Sequence, residues 1–169
     1  AVLLSRASLG EPAVHELLRR IMVNELLGNP DMHLKNVGLW YPDGRTPALP
    51  PAYDIVAHTL YTPVTGHGLR IVPAELEAEI RPKDANGPRA KKIQLTPAVL
   101  RLFCNQLGIA ERPAVKVVTD CVKNAYRVWP KLINESMLTS AQKERLRKHF
   151  FKHHTVAGVL RRDKQKAVI

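Results

Sequence analysis

The chain has 169 residues, 45% of them hydrophobic, enough for one domain with a real core and too apolar for a disordered chain. No apolar run is long enough to span a bilayer, and Arg6 and Glu11 interrupt the only apolar start, so neither a membrane-spanning helix nor a signal peptide is expected. The net charge of +11 is uneven: residues 1–60 hold five Lys/Arg against six Asp/Glu, whereas residues 143–166 hold nine against two, so any chemistry in the first third is not a basic patch.

Residues 11–27 predict an amphipathic helix. Pro12 suits its first turn, and Val14, Leu17, Leu18, Ile21, Met22 and Glu25/Leu26 follow the three-four spacing of a buried stripe. Gly28 stands where a left-handed residue ends a helix, and Pro30 disfavours helix at Asn29, so Asp31 is expected on a loop just past a packed helix. Val37–Tyr41 has the composition of a short strand, Pro42-Asp43-Gly44 that of a turn, and Arg45–Leu49 that of a short returning strand limited by Pro47. Such a hairpin leaves Asp31 and returns, through Pro50-Pro51, to Tyr53-Asp54, which brings two carboxylates toward one cleft.

Residues 55–92 read as irregular, with Gly66-His67-Gly68 as a flexible point, a short acidic-faced helix at Pro73–Ile80 and a turn-rich basic loop from Pro82 to Pro88. The remainder reads as helical. Thr96-Pro97 predicts a capped start, with Leu100, Phe103, Cys104 and Leu107 as the stripe and Gly108 as the end. A second helix is expected over Pro113–Trp129, with Val117, Val118, Cys121, Val122, Ala125 and Val128 inward and Pro130 stopping or kinking it. Thr139–Gln142 has the form of a capping box opening a third, mostly basic helix to about His153, anchored by Leu146 and Phe150, with fraying after Ala157. Cys104 and Cys121 make no metal-ligand pattern and read as buried thiols of a reducing cytosol.

Asp31, Asn36 five residues later and Asp54 a further 18 on match what magnesium-dependent phosphoryl transfer asks of a protein. One carboxylate orients the attacking hydroxyl and takes its proton, while an amide oxygen and a second carboxylate are hard ligands for Mg²⁺. His33 and Lys35 lie between them, and Lys35 is placed to reach a phosphate. Singly, each residue has an ordinary reading: Asp31 as a turn residue, His33 as a structural histidine, Asp54 as a cap, and His58 and His67 as structural.

The strings are more specific than the spacing. Gly28-Asn29-Pro30-Asp31-Met32-His33-Leu34-Lys35-Asn36, followed by Leu49-Pro50-Pro51-Ala52-Tyr53-Asp54-Ile55-Val56, resembles the HipA-type serine/threonine kinases, the toxins of bacterial toxin–antitoxin systems. The resemblance implies a mainly α fold, the helical C-terminal lobe of a protein-kinase-like architecture with a small β-hairpin at the catalytic loop. It implies Asp31 as catalytic base, Asn36 as magnesium ligand and Asp54 as the aspartate that binds the metal beside the ATP phosphates; His33 and Lys35 match the string. On this reading residues 28–56 carry the catalytic and metal-binding loops, 93–155 a helical subdomain and 156–169 a basic tail.

The implied cofactors are Mg²⁺ and ATP. The implied partners are a protein substrate such as an aminoacyl-tRNA synthetase, a DNA-binding antitoxin, and an N-terminal kinase lobe. Only 30 residues precede Asp31, and they hold neither a Gly-rich loop nor a strand lysine, so that lobe is expected in an upstream segment or a separate chain, unless the gene is truncated and inactive. The alternative is a non-catalytic module whose basic tail contacts nucleic acid or an antitoxin.

Overall fold

In the computed structural model of the chain, Leu4, residues 9–62, Ile71 and residues 94–166 are described, with backbone alone for 162–166. The expected Pro73–Ile80 helix, the 66–68 and 82–88 loops and His67 lie outside the described residues. Helix α1, Gly10–Leu27, buries Val14, Leu17, Leu18, Ile21, Met22 and Leu26, the expected stripe. Gly28 ends it in the left-handed region (φ 63, ψ 44). The Gly28 N–H donates to the Glu25 carbonyl and the Asn29 N–H to the Asn24 carbonyl, which satisfies two of the helix's last carbonyls and turns the chain sharply into the Asp31 loop. No side chain fits at position 28: a Cβ there would lie 2.8 Å from Thr59 Cβ and 3.0 Å from the His149 ring.

Helix α2, Pro97–Leu107, starts with the Thr96 hydroxyl accepting from the Val99 N–H and ends at Gly108 with the same pair of backbone bonds that closes α1. Helix α3, Glu111–Glu135, begins two residues earlier than expected and runs through Pro130. Proline removes one hydrogen bond there. The turn beyond it is retained because it packs Ile133 against Leu60 and Leu146, while Trp129 lies 5.3 Å from the Phe150 ring. Its buried side is Ala114, Val118, Val122, Ala125 and Ile133; Val128, expected inward, is 40% exposed because it lies off that line.

Helix α4, Ser140–Lys152, opens with the expected reciprocal cap, Thr139 Oγ1 accepting from the Gln142 N–H and Gln142 Oε1 from the Thr139 N–H. The chain breaks at His153 and resumes as α5, His154–Lys166. The expectation of fraying after Ala157 is thus wrong: Val156 and Val159 are fully buried in the main core, so the first half of the supposed tail is a packed helix. Helix α1 packs on α3 and α4, and α5 on α3 and α4, around one core from Leu4 to Val159.

The expected hairpin shrinks to a single antiparallel bridge between Trp40 and Ala48, with no strand among the described residues. The two backbone bonds of that pair measure 3.0 and 2.9 Å. In an antiparallel ladder the next hydrogen-bonded pairs would be Gly38 with Pro50 on one side and Pro42 with Thr46 on the other. Each contains a proline without an N–H, so the ladder cannot grow either way. The turn itself is tight: the Asp43 carboxylate accepts from the N–H groups of Arg45 and Thr46 and from the Thr46 hydroxyl, and these bonds lower its pKa to about 2.

Candidate functional site

The site is built on the exit of α1. After Gly28, the buried Asn29 side chain anchors the loop from below: its Oδ1 accepts from the Asp31 N–H at 3.1 Å, and its Nδ2 donates to Asn24 Oδ1 at 2.6 Å and to the Asp54 carbonyl at 3.2 Å. Met32, 3% exposed, pins the loop to the apolar core, so Asp31 and His33 on either side are pushed to the surface. A short 3₁₀ turn, Leu34–Asn36, then carries Asn36 back toward Asp31.

Asn36 is the hinge of the constellation. Its Nδ2 donates to Asp54 Oδ2 at 2.7 Å and to the Asp31 carbonyl at 3.0 Å. Residues from two segments therefore meet within one hydrogen-bond length. The atom that Asn36 turns toward Asp54 is its nitrogen, so a small divalent ion, which takes oxygen ligands at about 2.0–2.1 Å, requires the amide to turn its oxygen there. The amide oxygen of Asn36 and the carboxylate of Asp54 fit such an ion as hard donors.

Asp54 has φ 56, a left-handed conformation rare outside glycine, and the site is where a chain holds such strain. The Asn29 and Asn36 side chains together fasten its carbonyl and its carboxylate. Arg20, 7% exposed, donates from Nη2 to the Pro50 carbonyl at 2.5 Å and so holds the approach to Asp54 against α1. The Tyr53 hydroxyl donates to the Lys35 carbonyl at 2.9 Å, a second tie between the segments.

Asp31 is brought in by its main chain; its carboxylate, 61% exposed, faces the solvent side with His33 Nε2 at 3.6 Å. Lys35 is exposed, and its carbonyl rather than its side chain is what joins the site. His58 belongs to a 3₁₀ turn, His58–Leu60, outside the constellation. Among the described residues no group of three His, Cys, Asp or Glu could hold a metal, so a cation here depends on the amide as much as on the acids. Cys104 and Cys121 are free thiols whose pKa values burial pushes up, Cys121 to about 11, which keeps them protonated and unreactive. Sequence reasoning missed Arg20 and Asn24; their only signal is a polar residue on the buried side of an otherwise apolar helix.

The basic end is organised differently. Arg145 Nη1 donates to the Leu60 carbonyl at 2.7 Å, Lys143 Nζ to the Asn134 carbonyl at 2.8 Å, and Arg147 to the Asn134 side chain. The His149 ring meets the Glu25 carbonyl at 2.8 Å, where only its N–H form can bond. No helix among the described residues is long and apolar enough to cross a membrane.

Two named relatives share part of the chain. One, called "Putative kinase Y4dM" in Sinorhizobium fredii, is 56% identical over 48 residues, 28% of this chain and 12% of the relative. Another, called "Putative kinase" in Haemophilus influenzae, is 40% identical over 58 residues, 34% of this chain and 17% of the relative. The matched stretches thus span under a fifth of either relative. The family model described as the HipA-like C-terminal domain matches residues 1–129, from before α1 through most of α3 and across the whole Asp31–Asn36–Asp54 constellation, and the chain belongs to that family.

Proposed function

We propose that this chain is the catalytic C-terminal lobe of a HipA-type serine/threonine protein kinase that transfers a phosphoryl group from Mg-ATP to a protein hydroxyl. The observation that carries the reading is the 2.7 Å contact between Asn36 and Asp54, made by side chains 18 residues apart. When bound, Mg-ATP supplies the γ-phosphoryl group and a cation that neutralises its charge. Asn36 Oδ1, with its amide turned, and the Asp54 carboxylate would hold that cation. The exposed Asp31 carboxylate orients the substrate hydroxyl and accepts its proton, and His33, 3.6 Å away, steadies the carboxylate. Lys35 offers its ammonium to the phosphates from the surface.

An N-terminal lobe supplies the remaining phosphate contacts. The wider reading is that of a cytoplasmic toxin acting on a translation component such as an aminoacyl-tRNA synthetase and silenced by a DNA-binding antitoxin. In the basic end Lys143, Arg145 and Arg147 hydrogen-bond within the chain, whereas Lys148, Lys152 and Arg161 are exposed and are what a nucleic acid would meet.

The test pairs the chain with an N-terminal kinase lobe and follows radiolabelled phosphate from Mg-ATP into protein. Asp31→Asn is expected to lower transfer by about 10²–10⁴-fold. Equal transfer by both proteins rejects Asp31 as the base.

A further inference from the structure

Helix α1 carries an asparagine where its buried face calls for an apolar residue. Asn24 is 3% exposed, and a buried amide without partners is destabilising, so its bonds matter. Asn24 Nδ2 donates to the Arg20 carbonyl at 2.8 Å, Asn24 Oδ1 accepts from Asn29 Nδ2 at 2.6 Å, and the Asn24 main-chain carbonyl accepts from the Asn29 N–H at 2.8 Å. Asn24 therefore grips Asn29 by main chain and side chain together.

The polarity of this relay is dictated at both ends. The Arg20 carbonyl can only accept, so the Asn24 amide must turn its nitrogen there and its oxygen toward Asn29. Asn29 must then turn its nitrogen toward Asn24 and the Asp54 carbonyl, which leaves its oxygen for the Asp31 N–H, a group that can only donate. A rotated Asn29 amide would set donor against donor at Asp31. The orientation chosen at Asn24 thus reaches the main chain of both acidic residues, one of them held at φ 56.

We propose that Asn24 is a positioning residue of the site: through Asn29 it fixes the Asp31 and Asp54 segments relative to one another and thereby sets the affinity of the site for a divalent cation. This rests on the reading of Asn36 and Asp54 as cation ligands. Outer partners of metal ligands change affinity by about 10–100-fold when removed.

The test uses Mn²⁺ as probe and the ¹⁵N-labelled chain, reading paramagnetic broadening at residues 31–54 and the hydrogen exchange of the Asp31 N–H. Asn24→Leu is expected to weaken Mn²⁺ binding about tenfold or more and to speed Asp31 exchange beyond any general loss of stability. Val118→Ala, a core change in α3, lowers the melting temperature and leaves Mn²⁺ affinity alone. Should Asn24→Leu not fold, Asn24→Ala removes the same bonds without added bulk and carries the same expectation.

The proposal is overturned if Asn24→Leu or Asn24→Ala moves both readouts no further than Val118→Ala. Wild-type signals unbroadened by Mn²⁺, or binding that survives Asp54→Asn, bring down the cation site itself and this proposal with it. Loss of the Asn24 effect alone leaves the cation site standing.

Discussion

In the Gly28–Asp54 segment the polar side chains point two ways. Asn29 is turned inward to hold the loop's backbone, and this frees the carboxylates of Asp31 and Asp54 to face outward. In α4 some of the charged groups are turned to the chain itself: Lys143, Arg145 and His149 bond carbonyls near the ends of α3, the His58–Leu60 turn and α1, while Lys148 and Lys152 are exposed. Such carbonyls have no partner within their own helices, and cationic side chains suit them both as donors and as charges. Part of the charge in that region is therefore structural. A patch with +7 along the chain need not be a binding face; what matters is whether its polar atoms already have partners.

Removing what anchors α4 would break the comparison most severely. Phe150, 1% exposed, sits between Trp129 and Phe151, and Phe150→Ala is expected to cost about 3–5 kcal/mol, read as a lowered midpoint in urea unfolding. Because α4 also braces the end of α1, cation binding at the loop should be lost in the same transition. A midpoint unchanged from wild type would mean that α4 is not part of the cooperative unit.

The junction between the two regions is tested by Gly28→Ala. A left-handed alanine whose Cβ lies 2.8 Å from Thr59 and 3.0 Å from His149 should destabilise by about 2–4 kcal/mol. Here Mn²⁺ affinity is expected to fall even where the chain remains folded, since the Asp31 loop starts at this residue. Unchanged affinity in the folded variant would separate the loop from the α1–α4 contact.

The smallest effect is a dependence on pH. Burial lowers the pKa of His154, and the neighbouring His153 lowers it further, against the opposing pull of Glu25 and of a bond to the Leu95 backbone. The folded chain thus resists protonation there more than the unfolded chain does. The stability this neutral histidine contributes is complete above the unfolded value of about 6.5 and is lost as pH falls from there through the folded pKa. Melting temperatures measured between pH 7.5 and 5 should fall toward acid, and His154→Gln should flatten that slope. A slope identical in the variant would assign the effect to another group.

Local signals in the chain were strong wherever one residue type solves one backbone problem. The glycine ends of α1 and α2, the Thr96 cap and the Thr139–Gln142 box are all legible, because each depends on neighbours within four residues. The Gly28–Asn36 string pointed to the family, and the structure brings Asn36 onto Asp54 with no strand among the described residues between them. The hairpin was over-read: strand-like composition and a good turn were visible, but the effect of Pro42 and Pro50 depends on the pairing register around Trp40 and Ala48. Helix α3 was under-read, since whether a proline ends a helix depends on what the following turn can bury. In α5 the charges of residues 161–166 masked the apolar spacing of Val156, Val159 and Leu160.

Sequence alone determined the helical body, the glycine and threonine caps of its helices and the string that marks its family, because these follow from covalent geometry and short-range periodicity. Only the tertiary structure decided that Asn24 reaches Asp31 and Asp54 through Asn29, and that Lys143 and Arg145 of α4 bond distant carbonyls. A hydrogen bond between distant segments is worth having only at the right distance and angle, and these come from how the helices pack.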